Sequence, residues 1–153
     1  MFGTMTFRSP AYQLALAAIL LAFASLKVAS GQQPASAAVY TAAQAETGRA
    51  AYQTTCASCH SGDLGGNGEA PELAGSSFMG SWKTQTTEDL FKYVQGMPPG
   101  GPHLTAEEYV PIVAYILQQN GAAAGEQPFT AATVAPIGTI ATGQRPTSAT
   151  PKD

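Results

Sequence analysis

Two cysteines and a histidine stand together at Cys56-Ala57-Ser58-Cys59-His60, and the chain has no other cysteine. Two thiols three residues apart sit one helical turn from each other. Each can therefore add to one vinyl group of the same porphyrin, while the next residue aims an imidazole at the iron. Part of the pattern is shared with other chemistries. A thioredoxin-like redox pair would open a helix after a strand, whereas this pair follows a helical segment. A zinc site would have to combine Cys56, Cys59, His60 and His103, and adjacent ligands at 59 and 60 do not match usual zinc spacing. The residues point instead to one covalently bound haem c, held by Cys56 and Cys59 with His60 on the iron.

Several elements must position these groups. Thr41 with Gln44 three residues on is a capping box, and Ala45, Gly48, Ala51, Tyr52 and Thr55 share one face of the helix it starts. Residues 63–68 (DLGGNG) read as loop, and 71–80 (PELAGSSFMG) as mostly irregular, punctuated by Gly and Pro. A second helix is predicted over 87–95, with Thr87 as N-cap, Glu88 and Asp89 complementing its positive start, and Gly96 suited to a left-handed exit. Met97-Pro98-Pro99-Gly100-Gly101-Pro102 cannot be helical and must be a stiff loop. A third helix starts at Thr105 with Glu108 completing its capping box, and ends at Asn120-Gly121. Pro111 lies inside it and predicts a kink or a tightened first turn. The expected fold is all-α, with three main helices. Residues 122–153 are rich in Ala, Thr, Gly and Pro; they read as an extension that buries little, with 128–141 extended against the domain and 142–153 disordered.

The 153 residues are 44% hydrophobic and 11% charged, which suits one globular domain once the ends are set aside. Residues 1–30 carry Arg8, an apolar run from Leu14 to Leu26, and then small polar residues, the layout of a signal peptide. The run is shorter than the roughly 20 residues needed to span a bilayer, so cleavage after Ser30, or as late as Ala37, is expected rather than stable membrane insertion. Residues 31–38 then form a flexible leader, and the domain occupies 39–121. With Arg8 and Lys27 removed, five basic residues face ten acidic ones, a formal charge of −5. Scattered acidity of this kind gives no footing for nucleic acid.

From Tyr40 to Gly121 the order of these features resembles a class I cytochrome c domain: Gly48 and Tyr52 before CASCH, a proline loop at Pro71, a Met-Pro loop after a short helix, and a last helix with Tyr115. The stretches LGGNGEAPELAGSSFMGSW and MPPGGPHLTAEEYVPIVAYILQQNG are similar to small monohaem cytochromes found beside, or fused to, quinoprotein dehydrogenases of Gram-negative bacteria. The resemblance implies the cytochrome c fold wrapped around one haem, with Met97, 37 residues after His60, as the second axial ligand. Met79 and His103 are its rivals. It further implies that the Pro71 carbonyl accepts the other imidazole hydrogen of His60, which would fix the ring. Trp82 would either reach a haem propionate or pack in the core. Gly48, Tyr52 and Tyr115 would let the first and last helices cross closely. The function implied is single-electron transfer in the periplasm rather than enzymatic catalysis. The partners would be a periplasmic dehydrogenase as donor and an oxidase or another cytochrome as acceptor.

Overall fold

A computed structural model describes residues 37–68 and 70–146. The signal peptide, most of the leader and residues 147–153 of the tail lie outside the described residues. Helix α1 (Ala42–Thr55) starts on a complete capping box. Gln44 N–H donates to the Thr41 hydroxyl at 3.2 Å, and Thr41 N–H donates to Gln44 Oε1 at 3.1 Å. The buried stripe of α1 is Ala45, Gly48 and Tyr52, while Thr55, expected on that face, is exposed. Helix α5 (Ala106–Gln119) is held the same way, by Thr105 N–H on Glu108 Oε2 at 2.8 Å, with Glu107 and Glu108 against the positive end of the helix. It runs unbroken through Pro111. Its first turn is tight, the Thr105 carbonyl accepting from both Glu108 at 3.1 Å and Tyr109 at 3.2 Å.

Helices α1 and α5 form the main packing contact, and Gly48 makes it close. A Cβ at position 48 would fall on the Pro111 carbonyl, well inside any real contact distance. Beside this crossing the Tyr52 and Tyr115 rings meet at 5.4 Å with a tilt of 55°. Gly48→Ala is expected to destabilise the domain by about 2 kcal/mol, because overpacking against backbone outweighs alanine's better helix propensity. That would lower the melting temperature by roughly 10 °C. A melting temperature equal to or above that of the parent would show that the two helices can separate at no cost.

The middle of the chain departs from the sequence reading in three places. Residues 71–80 are not mostly irregular, since α3 (Ser76–Trp82) forms there with Phe78 buried. Its propensity is poor; within the helix Phe78 stacks on Trp82 one turn later at 6.3 Å, and the tertiary hold is Gly75 N–H on Asn120 Oδ1 at 3.0 Å. Helix α4 (Thr87–Val94) is capped by Thr86 rather than Thr87, with Asp89 closing the box. Thr87 is fully buried; its hydroxyl donates to the Thr133 carbonyl at 2.6 Å and accepts from Ala135 N–H at 3.1 Å. Gly96 does not exit left-handed, and its N–H bonds the Tyr93 carbonyl at 3.1 Å in a continuing turn.

The extension buries far more than its composition suggests. Phe129, Ile137 and Ile140 are all buried, the last two within the single turn α6 (Ile137–Ile140). Phe129 meets Phe91 edge-on at 6.3 Å. The Gln44 amide acts as a surrogate backbone for this segment, donating to the Phe129 carbonyl and accepting its N–H, both at 2.8 Å. The Tyr40 hydroxyl donates to the Ala122 carbonyl, and burial pushes its pKa up to about 12. Further along, Ile137 N–H and Gly138 N–H reach the Gln85 and Lys83 carbonyls at 2.9 and 3.0 Å. The expectation of disorder from 142 is also corrected where the tail is described. Thr142 and Gly143 donate to the Asn120 carbonyl at 2.9 Å, and Arg145 donates to the Asp63 carbonyl. A few large apolar residues suffice here because each fills a site prepared by polar partners in the earlier helices.

Candidate functional site

Cys56 caps the end of α1, its N–H on the Tyr52 carbonyl at 2.9 Å, and the chain continues at once into the single turn α2 (Ala57–His60). The Cys56 carbonyl accepts from Cys59 at 3.2 Å and from His60 at 3.0 Å, so thiols and imidazole share one helical turn. Both cysteines are unpaired, Cys56 half-buried and Cys59 exposed. Burial pushes the Cys56 thiol up in pKa, and the Thr55 hydroxyl 3.3 Å away pulls in the opposite direction. Among the described residues no three of His, Cys, Asp and Glu converge, so Cys56, Cys59, His60 and His103 do not form a zinc-type cluster.

His60 Nδ1 lies 2.8 Å from the Pro71 carbonyl oxygen. A carbonyl can only accept, so Nδ1 carries the hydrogen, and in the neutral imidazole Nε2 is the nitrogen left with a lone pair. The backbone that delivers this arrangement is strained directly after the ligand. Ser61 has φ 64° and ψ 151°, a region costing a non-glycine residue on the order of 1–3 kcal/mol. Neighbouring bonds hold it there: the Tyr52 hydroxyl donates to the Ser61 carbonyl at 2.8 Å, and the Ser61 hydroxyl donates to the Gly66 carbonyl at 2.6 Å. Gly66, at φ 68°, binds back to the His60 carbonyl at 3.0 Å, and a Cβ on it would strike the Ala70 carbonyl. Leu73 N–H on the Leu64 carbonyl at 2.8 Å completes the pairing that brings Pro71 beside His60.

Met97 is half-buried at the start of its loop, with its N–H on the Val94 carbonyl at 3.0 Å. Its carbonyl accepts from the Tyr109 hydroxyl at 2.5 Å, and the same hydroxyl accepts from Leu104 N–H at 3.2 Å. Met79 lies within α3, its side chain close against Gly143 of the extension, and His103 is exposed. Trp82 is half-buried, stacked on Phe78 and meeting Tyr93 edge-on at 5.2 Å.

Residues 43–116 match the family described as cytochrome c oxidase, cbb3-type, subunit III. This segment is a class I c-type cytochrome domain. No curated protein and no solved structure matches the chain significantly. A cytochrome c domain is a haem-based electron carrier, and the residues of this one fit a covalently held haem. Two free thiols sit on one turn, His60 has an uncommitted Nε2, and Ala57, Leu73, Trp82 and Leu104 are half-buried apolar side chains at the edge of the core.

Three residues that brace the cytochrome were not singled out for these roles from the sequence. Tyr109 reads only as an apolar core position of α5, with nothing to say what its hydroxyl meets. Asn120 reads as a helix stop, yet it is fully buried, its amide N–H donating to the Leu73 and Ile116 carbonyls at 2.9 Å. Gln44 reads as a capping residue. Its second role, clasping Phe129, lies 85 residues away and has no local signature.

Proposed function

We propose that the mature chain is a periplasmic single-electron carrier holding one low-spin haem c, with His60 and Met97 as axial ligands. Electrons would arrive from a periplasmic dehydrogenase and leave to an oxidase or another cytochrome. The observation that carries this reading is the His60–Pro71 contact at 2.8 Å beside two free thiols, since it presets one imidazole nitrogen for iron. When bound, the haem supplies the redox chemistry, one electron gained or lost at iron.

The chain's part is to hold and insulate. Cys56 and Cys59 attach the ring, and the hydrogen bond to Pro71 keeps the His60 tautomer and raises its basicity. Met97 is favoured over its rivals because Met79 is packed against Gly143 while His103 stands exposed at the far end of the loop. A thioether ligand and apolar surroundings favour the reduced state, and two protein ligands retained in both states keep reorganisation small. Pro71 orients, and Trp82, stacked on Phe78 and edge-on to Tyr93, is read as a donor toward a propionate. Export rests on the signal layout of residues 1–30; among the described residues no helix is long and apolar enough to cross a membrane. Docking is read as weakly steered by charge. Lys83 and Lys92 are the only lysines between 39 and 121, and Lys92 is paired with Glu88 at 2.9 Å.

Met97→Ala should abolish the far-red sulfur-to-iron band of the ferric protein and lower its reduction potential. An unchanged band in that variant, lost instead in Met79→Ala or His103→Ala, would assign the ligand elsewhere. Spectra of the pyridine adduct would count the haem. The matched family's description names an oxidase subunit, so a second reading makes the domain a fixed part of a larger complex. Gel filtration of a native extract separates the two: a free carrier elutes at its own size.

A further inference from the structure

We propose that Tyr109 is the positioning residue that keeps Met97 on the iron, by closing the loop 97–104 with one hydroxyl. The proposal rests on the reading of Met97 as axial ligand. The loop has little means of holding itself. Pro98, Pro99 and Pro102 have no N–H to donate, Gly100 sits at φ 69°, and the one backbone bond inside the loop is Gly101 N–H to the Pro98 carbonyl at 3.1 Å. The Tyr109 hydroxyl spans both ends at once, donating to the Met97 carbonyl and accepting from Leu104 N–H.

Tyr109 is itself firmly placed. It is buried in the first turns of α5, a helix anchored at its start by the Thr105–Glu108 box and along its body by the Gly48–Pro111 crossing with α1. The position of Met97 is therefore referred to the rigid α1–α5 frame. Without the hydroxyl, the Met97 carbonyl and Leu104 N–H would each lack a partner, and opening the loop to water would satisfy both. Met97 would then leave the iron more often, while the tyrosine ring and its packing remain.

Imidazole added to the ferric holoprotein reads this directly, since it can bind only when the sixth ligand has left. Tyr109→Phe is expected to bind imidazole about tenfold faster and tighter than the parent, the equivalent of about 1.4 kcal/mol for the lost bonds, and to show a weaker far-red band. Tyr40→Phe is the control, because it removes another buried hydroxyl that pins a carbonyl, at Ala122, with no contact to the loop. It should leave imidazole binding as in the parent. Equal acceleration in both variants would reduce the effect to general destabilisation and overturn the proposal, as would parental binding in Tyr109→Phe. Met97→Ala keeps the two ideas apart. If it retains the far-red band, the ligand reading fails; if it loses the band while Tyr109→Phe binds imidazole like the parent, the positioning role alone fails.

Discussion

A chain ending at Gly121 is expected to melt, as holoprotein, on the order of 15 °C or more below the full chain. The segment removed contains Phe129, Ile137 and Ile140, all buried, and its loss uncovers Phe91. It also strands polar groups: the Thr87 hydroxyl loses the Thr133 carbonyl, and the Tyr40 hydroxyl loses the carbonyl of Ala122. Deleting one large core side chain costs about 3 kcal/mol or more, and here three go together. A chain ending at Ala141 keeps all three; among the described residues it loses the Thr142 and Gly143 donors on Asn120, the Gly143 contact to Met79 and the Arg145 contact to Asp63. That cut should cost about 1–2 kcal/mol. Thermal melts followed by circular dichroism decide the matter: equal losses from both cuts would move the stabilising contact from the buried side chains to the tail beyond 141, and no loss from the first would detach the extension from the domain.

Replacing Cys56 and Cys59 together with serine is expected to abolish covalent haem altogether, while each single replacement leaves one thioether. Serine hydroxyls do not form the bond that the two thiols make, and the chain has no third cysteine to substitute. The backbone turn and the His60–Pro71 contact do not depend on the thiols, so the fold around residues 52–73 should persist. Mass spectrometry of the denatured chain gives the count, one haem on the parent and none on the double variant. Haem that resists extraction into acidified organic solvent in the double variant would rule out attachment through these residues.

What the sequence disclosed was whatever is encoded within a few residues. The boxes at Thr41–Gln44 and Thr105–Glu108, the motif at 56–60 and the stop at Asn120-Gly121 are short-range devices, and each is where its pattern places it. Thr86 and Thr87 show how thin that signal can be. Both are good caps; Asp89 closes the box on Thr86, and burial of Thr87 by residues 133–135 commits its hydroxyl elsewhere. Helix α3 and the packing of 122–145 were illegible for a different reason. Ser76–Trp82 is stabilised from outside by Asn120, and Phe129 by Gln44, so neither segment advertises its structure in its own composition. At the site, the Pro71 contact was readable only by resemblance, whereas the Tyr109 bridge had no sequence signal at all.

The clasp between the domain's first helix and its extension also orders events in time. Tyr40 and Ala122 are 82 residues apart, and Gln44 and Phe129 are 85 apart. Contacts this distant in sequence must meet the entropy of closing a long loop before they return any energy, so they form late. A chain emerging N-terminus first presents its thiols at 56 and 59 well before the residues that lock the domain shut. Attachment chemistry thus has an interval in which the cysteine pair is accessible and the fold is incomplete. Pulsed hydrogen exchange during refolding would record that interval as protection of α1 and α5 preceding protection of residues 122–141, and simultaneous protection would abolish it.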